Sequence, residues 1–370
     1  MNGKTRISIL DGFRAVAIIS VMLYHYFSRW TPPIYKISLY PYGDKYSFFG
    51  FGYLGVQFFF IISGFVIFFT LERTESLIVF WKKRMIRLLP SIVFASLLIV
   101  LFFNIFDKYN LFPASHALKN LIPSLSFIKP SLFNDIFNVK LAYVNGSYWS
   151  LWPEIQFYLL SSLIYYFDKK RFLRNFMVVS ITLIGINYIM QNVHGSNKLH
   201  IDLPQGLLGF YYKWVYNGFN LISYLQFFCL GVLLYKLSIN KNGNFKASLP
   251  FKICLLFISL FMLYSGGILT IRVIYLLMIL VFLIFIYYPE KLNFFGKSPV
   301  AEVGESSYFL YLIHENMGVF IIYTLGQFIL PNSFVLPLVL ILGFSYLSFL
   351  FSKKIDKPIN KWLKSKLIKE

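Results

Sequence analysis

Charge is scarce in this chain of 370 residues. Asp, Glu, Lys and Arg together make up 14% of it, whereas hydrophobic residues reach 58%. Soluble domains carry roughly 25% charged residues. A chain with so few charges and so many apolar residues is not an ordinary soluble domain. The composition therefore predicts a polytopic membrane protein.

Acidic residues and cysteines are rarer still. The chain has 15 acidic and 35 basic residues, which gives a net charge of +20. The basic residues form short clusters between apolar runs rather than one polar face, so the pattern indicates membrane topology and not nucleic-acid binding. The two cysteines, Cys229 and Cys254, lack metal-ligand spacing and are interpreted as packing residues. His116, His194 and His200 lack such spacing too, and no metal site is predicted.

The apolar residues fall into about ten runs, each close to the roughly 20 residues that cross a bilayer as a helix. The first run lacks a signal-peptide cleavage site, and the basic clusters place both termini in the cytoplasm. We therefore expect an all-α bundle of about ten transmembrane helices in one domain, 1–370. We also expect a short basic tail at 352–370 and no appended extracytoplasmic domain. The runs lie near residues 7–27, 52–71, 90–106, 148–167, 176–191, 219–237, 253–267, 271–288, 305–327 and 334–351.

The first helix, "SILDGFRAVAIISVMLYHYF" at 8–27, contains Asp11, Arg14 and His25. Each ionisable group at membrane depth costs about 2.5–3.5 kcal/mol. His25 lies eleven positions after Arg14, so the two share a helix face about 16 Å apart, and Asp11 lies one turn before Arg14. This spacing predicts a one-sided polar track. The alternative is an interfacial ion pair, with His25 capping the helix near the outer headgroups.

Polar residues also interrupt two later runs. Glu154 and Gln156 lie in "NGSYWSLWPEIQFYLL", and His314 and Glu315 lie in "SSYFLYLIHENM". Ionisable residues within a membrane bundle usually face a partner or a water-filled cavity. The three interrupted helices therefore predict a shared interior cavity.

Five segments together resemble the membrane acyltransferase-3 family, in the order of that family. They are "LDGFRAVAIISVMLYH" with Arg-x10-His, "GYLGVQFFFIISGFVI" with Ser63 and Gly64, "WKKRMIRLLP" with Arg-x-x-Arg, "SYWSLWPEIQFYLL", and "SSYFLYLIH". The chain departs from the family at Glu315, where proline is common after the late histidine. That departure bears on the helix shape and the electrostatics around His314.

The resemblance implies acyl transfer from cytoplasmic acyl-CoA, first of all acetyl-CoA, to a saccharide hydroxyl across the bacterial plasma membrane. Surface polysaccharides or their lipid-linked precursors are the implied acceptors. The donor is a substrate, and no tightly bound cofactor is expected. Longer family members carry an extracytoplasmic hydrolase-like domain. This chain is therefore expected either to acylate its acceptor directly or to use a separate partner.

The site residues follow from the matched segments. The donor's phosphates are assigned to the guanidinium groups of Arg84 and Arg87, because guanidinium binds phosphate oxygens bidentately. Arg14, oriented by Asp11, would engage the donor further into the bundle. His25 is the predicted general base, since imidazole titrates near neutral pH. Four further residues are assigned to substrate binding, and Glu154 either orients His25 or holds the acceptor. Those four are Trp149, Ser150, Tyr311 and His314.

Several alternatives stay open from the residues alone. The basic linker is also typical of a positive-inside loop, and a covalent acyl-histidine relay competes with direct transfer. Ser63 and Ser307 have no adjacent base in sequence and are interpreted as packing residues. The loops 107–147 and 192–218 are either an acceptor surface or connectors. A flippase, carrier or polymerase for lipid-linked sugars is the alternative function.

Overall fold

The predicted all-α fold is confirmed by a computed structural model. The structure describes residues 3–28, 43–194, 203–241, 247–326, 328 and 334–368. No β-strand occurs in these described segments. The loop histidine His200 lies outside them.

The part of the chain that the structure describes contains eleven long helices, numbered here in chain order. They are α1 Gly3–Phe27, α2 Gly55–Glu72, α3 Leu77–Phe106, α4 Leu151–Phe167, α5 Phe172–His194, α6 Leu225–Lys241, α7 Leu249–Ser265, α8 Leu269–Tyr287, α9 Ser307–Leu325, α10 Val335–Phe351 and α11 Lys357–Leu367. Five shorter α-helices are Pro113–His116, Leu121–Ser126, Pro130–Phe137, Gln205–Phe210 and Ser298–Glu305. Turns of 3₁₀ type span Gly43–Leu54, Leu118–Asn120, Gly146–Ser150, Asn220–Ser223 and Pro289–Gly296, and π-turns span Tyr211–Gly218 and Ser352–Asp356.

Each of the ten predicted apolar runs corresponds to one helix, α1 to α10. Among the described residues, six helical stretches are long and apolar enough to cross a membrane, and α6 and α7 are shorter apolar helices. The number of spans and the cytoplasmic position of the termini stay predictions. The six stretches are Ser8–Phe27, Phe48–Glu72, Leu77–Phe106, Phe172–Val193, Leu269–Tyr287 and Val335–Leu367.

The basic stretch between the second and third runs is not a loop, contrary to the sequence interpretation. It forms the first turns of α3, which begins at Leu77 and continues through Pro90. Ser76 precedes the helix, and its Oγ accepts a hydrogen bond from the backbone N–H of Val79 at 3.3 Å, as N-cap residues do. Apolar residues at helical spacing then bury one side of this basic segment. Arg84 and Arg87 are therefore held on a rigid helix.

The boundary between the seventh and eighth runs is a tight turn. After α7 ends at Ser265, Gly267 has φ of +66°, a left-handed conformation that favours glycine, and α8 starts at Leu269. The predicted basic tail is helical as well, because a π-turn at Ser352–Asp356 leads from α10 into α11. The tail is thus an ordered amphipathic helix up to Leu367.

The chain divides into two units. Unit 1 comprises residues 1–59, 81–149 and 289–370, and unit 2 comprises 60–80 and 150–288. The prediction of a single domain is not tested by this grouping and stays a prediction.

In unit 1, α1 is the central element. It packs against α9, α10, the turns Gly43–Leu54 and Pro289–Gly296, and the helix Ser298–Glu305. Ile18 and Met22 of α1 are fully buried. The segment 107–147 is fixed by its own polar contacts: the buried carboxylate of Asp107 accepts hydrogen bonds from the backbone N–H groups of Leu111 and Phe112. Oδ2 of Asp107 also lies 3.0 Å from Nε2 of His116.

In unit 2, α6 packs against α5, α7 and α8, and α4 packs against α5. The rings of Phe157 and Phe228 stack with centroids 4.2 Å apart. Cys229 of α6 is fully buried, in keeping with a packing residue. Glu72 forms an ion pair with Lys236 at 2.8 Å.

Candidate active site

His25 of α1 faces a carboxylate that the sequence reasoning did not pair with it. Its Nδ1 lies 3.6 Å from Oε1 of Glu315 on α9, and both side chains are 18% exposed. The ring of His314 also approaches, with centroids 5.3 Å apart and planes at 63°. Two imidazoles and one carboxylate therefore meet between α1 and α9, within unit 1.

The hydrogen bond at one ring nitrogen assigns the tautomer of His314. Its Nδ1 lies 2.8 Å from the carbonyl oxygen of Tyr311, which can only accept, so Nδ1 carries the proton. The neutral ring then has its lone pair on Nε2. This atom is buried and has no hydrogen-bond partner in the described part of the chain, and the residue is 0% exposed. His314 is thus a buried acceptor beside His25.

The loop before α4 is joined to α9 at the same place. The buried amide of Asn145 donates from Nδ2 to the carbonyl of Leu312 at 2.5 Å and accepts from the backbone N–H of Asn316 at 3.3 Å. Ser147 donates its hydroxyl proton to the carbonyl of Tyr311 at 3.0 Å. The side-chain amide of Asn145 therefore bonds to two backbone groups one helical turn apart on α9. These contacts fix the loop against the part of α9 that carries His314 and Glu315.

Tyr26 fixes the spacing between α1 and α9. Its hydroxyl donates to the carbonyl oxygen of His314 at 2.9 Å, and the residue is fully buried. Gly318 faces the phenol ring, where a Cβ atom would collide with it. This contact holds His25, the neighbouring residue on α1, against α9.

The face of α1 that carries Arg14 and His25 is polar only at its two ends, and the residues between them are apolar. The helix is continuous from Gly3 to Phe27, so Arg14 and His25 share a face as the spacing predicts. Ile18 and Val21 occupy that face between them and are 0% and 1% exposed. The middle of the track is packed, not open.

Asp11 and Arg14 form the predicted pair, and α3 contributes to it. The guanidinium of Arg14 donates to the carboxylate of Asp11, and both side chains are largely buried. Arg87 lies near enough to attract both Asp11 and Asp356, whereas Glu305 repels Asp11. The structure thus brings three of the four predicted donor residues to one end of α1.

The fourth donor residue, Arg84, lies on the buried side of α3. It is 5% exposed, whereas Arg87, three residues later, is exposed. Asp356, next to α11, accepts a hydrogen bond from Ser91 of α3 at 2.8 Å. Nearer the start of α3, Nζ of Lys82 donates a hydrogen bond to the backbone carbonyl of Leu367 in α11 at 2.9 Å. The basic turns of α3 therefore lie alongside the C-terminal helix.

Glu154 has polar partners in unit 2. It lies in the first turn of α4 and accepts hydrogen bonds from Ser63 at 2.8 Å and from the hydroxyl of Tyr158. The sequence reasoning assigned Ser63 to packing, whereas its hydroxyl makes this polar contact. Its neighbour Gly64 makes the close approach, since a Cβ there would collide with the carbonyl of Phe228. The role of Glu154 towards His25 stays a prediction.

The remaining substrate-binding candidates lie around the loop before α4. Tyr311 is buried, and its ring lies 5.4 Å from that of His314. Trp149 and Ser150 end the 3₁₀ turn Gly146–Ser150, Trp149 half-buried and Ser150 buried. The structure thus joins Tyr311 to His314, and the substrate-binding roles of all four residues stay predictions. Among the residues that the structure describes, no group of three His, Cys, Asp or Glu side chains could hold a metal ion.

Comparison with known proteins agrees with the motifs. A family profile described as an acyltransferase domain matches residues 7–353. The chain belongs to the acyltransferase-3 family. It is 26% identical to the O-acetyltransferase OatA of Staphylococcus aureus over 95% of this chain, and it spans only 57% of that relative's length. A putative O-acetyltransferase of the same species is 24% identical over 51% of this chain and 30% of its own length. No solved structure matches the chain.

Family membership and the helices together make this a multi-pass membrane protein with an acyltransferase domain. The five matched segments contribute to both units, and His25 and His314, which end the first and last segments, meet in unit 1. The contact between His25 and Glu315 joins residues 290 positions apart. Sequence reasoning noted Glu315 as a polar interruption of an apolar run and as a departure from the family, but it did not identify His25 as its partner. An ionisable residue inside a predicted membrane helix was the signal that called for a partner.

Proposed function

We propose that this chain transfers an acyl group, with acetyl as the first candidate, from acyl-CoA to a hydroxyl group of a saccharide. The acceptor class is a bacterial surface polysaccharide or its lipid-linked precursor, and the location is the plasma membrane. The observation that carries the proposal is the meeting of His25 with Glu315 and His314 inside an acyltransferase domain. The names of the two relatives, both O-acetyltransferases, support the acyl group and the oxygen acceptor.

In this proposal His25 is the general base. The acceptor hydroxyl attacks the thioester carbonyl carbon of the donor while its proton passes to the imidazole, and the carbon–sulfur bond then breaks. The imidazolium returns the proton to the leaving thiolate, so the products are an O-acyl ester and free CoA. Imidazole suits both steps because its two protonation states are both accessible near neutral pH.

The donor is assigned to the basic end of α1 and the first turns of α3. Arg14 and Arg87 lie near the same carboxylate, Asp11, and Arg84 projects from the adjoining turn of α3. Guanidinium groups on rigid helices suit the phosphate oxygens of CoA, because they bind in a bidentate way. The rise of a helix puts about 16 Å between Arg14 and His25, a span that an extended pantetheine arm covers.

The packed middle of α1 limits the route that the pantetheine arm of the donor can take between Arg14 and His25. Gly55 lies so close to α1 that a Cβ atom would collide with the carbonyl of Ala17 and the side chain of Val21. The donor arm must therefore pass beside this contact or separate α1 from the start of α2. Acceptor binding is assigned to Trp149, Ser150 and Tyr311.

The test uses a host from which the gene has been deleted, complemented with variants that are checked for membrane insertion. His25→Ala is expected to lower alkali-labile acetate on surface glycans at least 100-fold, the range of a lost general base. Ser20→Ala is the matched control on the same helix, because its hydroxyl donates only a local bond to the carbonyl of Val16. Normal ester content in the His25 variant would refute the catalytic assignment.

The donor assignment is tested separately, by measuring the binding of acetyl-CoA to the purified protein and its variants. Arg84→Ala should weaken binding, whereas Lys170→Ala removes one exposed charge elsewhere and should not. Mass spectrometry of the glycans identifies the acyl mass and its position.

A further inference from the structure

The mechanism above gives Glu315 no step of its own, yet its carboxylate is the acidic group that the structure places beside His25. We propose that Glu315 is a positioning residue for acyl transfer, which orients the imidazole of His25 and stabilises its protonated form. The inference rests on the proposed function and deepens it. It concerns the position after the late histidine, where the chain departs from its family.

The distance from Glu315 to His25 suits this role. At 3.6 Å, Nδ1 of His25 and Oε1 of Glu315 are within ion-pair range, and a small side-chain movement brings them to hydrogen-bond distance. A carboxylate at Nδ1 favours the tautomer that has its proton there and its lone pair on Nε2. Nε2 is then the atom that takes the acceptor's proton.

The carboxylate is held in place from the loop before α4. The backbone N–H of Ser147 donates a hydrogen bond to Glu315, which fixes one end of the group. Gly146 lies against it so closely that a Cβ atom would be 2.6 Å from Oε1. Asn145 in turn joins this loop to the backbone of α9 on both sides of His314. Three consecutive loop residues therefore determine where Glu315 points.

The surroundings of Glu315 and His25 strengthen the electrostatic interaction between the two side chains. The titratable groups that face His25 include Glu315 and His314 from α9 and the phenol ring of Tyr24 on its own helix. Oε2 of Glu315 is buried without a hydrogen-bond partner in the described segments. A carboxylate with an unsatisfied oxygen gains most from a neighbouring cation, because little water screens the interaction. Protonated His25 supplies such a cation during the reaction.

The proton balance is unchanged by Glu315. The acceptor's proton moves to Nε2 of His25 as the ester bond forms, and it leaves with the CoA thiolate as the carbon–sulfur bond breaks. Glu315 stays ionised throughout and exchanges no proton. Its contribution is the orientation of the ring and the stabilisation of the imidazolium, as an acidic partner does for a catalytic histidine elsewhere.

The competing explanation is that Glu315 only stabilises the packing of α9. The two explanations differ in kinetics, so the experiment measures transfer of radiolabelled acetyl from acetyl-CoA to glycans in membrane vesicles of the deletion host. Glu315→Gln keeps the shape and removes the charge. We expect its kcat to fall about 10–100-fold, with the KM for acetyl-CoA within about twofold. Glu315→Asp, which keeps the charge, should recover part of the loss.

The double variant His25→Ala with Glu315→Gln decides whether the two residues act together. If Glu315 works through His25, the double variant is no slower than His25→Ala. Wild-type kcat in Glu315→Gln, or a loss in the double variant equal to the product of the two single losses, overturns the proposal. A wild-type protein that transfers no acetyl refutes the proposed function instead.

Gly146→Ala tests the same geometry without touching the charge, and it decides the question if Glu315→Gln fails to insert. The added methyl group displaces Oε1, so kcat should fall while the amount of protein in the membrane stays the same. Unchanged kcat in Gly146→Ala would show that the exact position of the carboxylate does not matter, and the proposal would fail.

Discussion

Asn145→Ala is the sharpest perturbation of the contact between the loop and α9. The amide of Asn145 is fully buried and serves two backbone groups, the carbonyl of Leu312 at 2.5 Å and the N–H of Asn316 at 3.3 Å. Truncation to alanine removes both hydrogen bonds and leaves two buried polar groups. Each such group costs about 1–3 kcal/mol. Relaxation of the neighbouring groups offsets part of this cost, so we expect a loss of about 2–4 kcal/mol.

The assay is thermal unfolding of the purified protein in detergent, together with acetyl transfer in vesicles. A loss of this size should lower Tm by roughly 3–5 °C, since an unfolding entropy of about 2.1 cal/mol/K per residue gives about 1.3 °C per kcal/mol for a chain of this length. Loss of the Asn145 amide also frees the loop that holds Glu315 in place, so kcat should fall by about tenfold. The physical reason is that Asn145 sets the position of the residue that faces His25.

Asn134→Ala is the matched control. Its amide also joins two backbone groups, because it donates to the carbonyl of Leu141 at 3.1 Å and accepts from the N–H of the same residue at 2.8 Å. This site is half-buried, so water replaces much of what is lost, and the expected cost is about 0.5–1.5 kcal/mol. If Asn145→Ala lowered Tm no more than Asn134→Ala and left kcat unchanged, the reasoning would be refuted.

Further predictions concern Gly304, which lies against α1, with Gly185 as its control, and Ser63 of α2, which lies against Glu154 of α4. Gly304→Ala places a Cβ atom against the carbonyl of Asp11, so size-exclusion chromatography should show aggregated protein. Gly185→Ala in α5, where nothing lies within 4 Å, should be neutral or gain up to about 1 kcal/mol in helix propensity. Ser63→Ala removes a hydrogen bond to Glu154 that is worth about 1.5–3 kcal/mol, so Tm should fall while acetyl transfer drops less than tenfold. Complete loss of transfer with an unchanged Tm would instead identify Ser63 as a nucleophile.

Local pattern was enough for most of the fold. The ten apolar runs predict the ten helices α1 to α10, because hydrophobic length and helical periodicity depend only on neighbouring residues. The exception is the start of α3. A cluster of basic residues is typical of a loop between spans, and the interpretation overlooked the N-cap at Ser76. Helix boundaries of this kind depend on capping and packing as well as on composition.

In the candidate site, too, some features follow from the local sequence and others only from the packing of the helices. The sequence by itself determined that Asp11, Arg14 and His25 share one face of α1, because the geometry of a helix relates residues a few turns apart. It also determined membership of the acyltransferase-3 family, through motifs that are each local. Only the tertiary structure decided that Glu315 lies against His25. Contacts between residues so far apart along the chain depend on how α1, α9 and the loop with Asn145 pack together, and no local spacing specifies that packing.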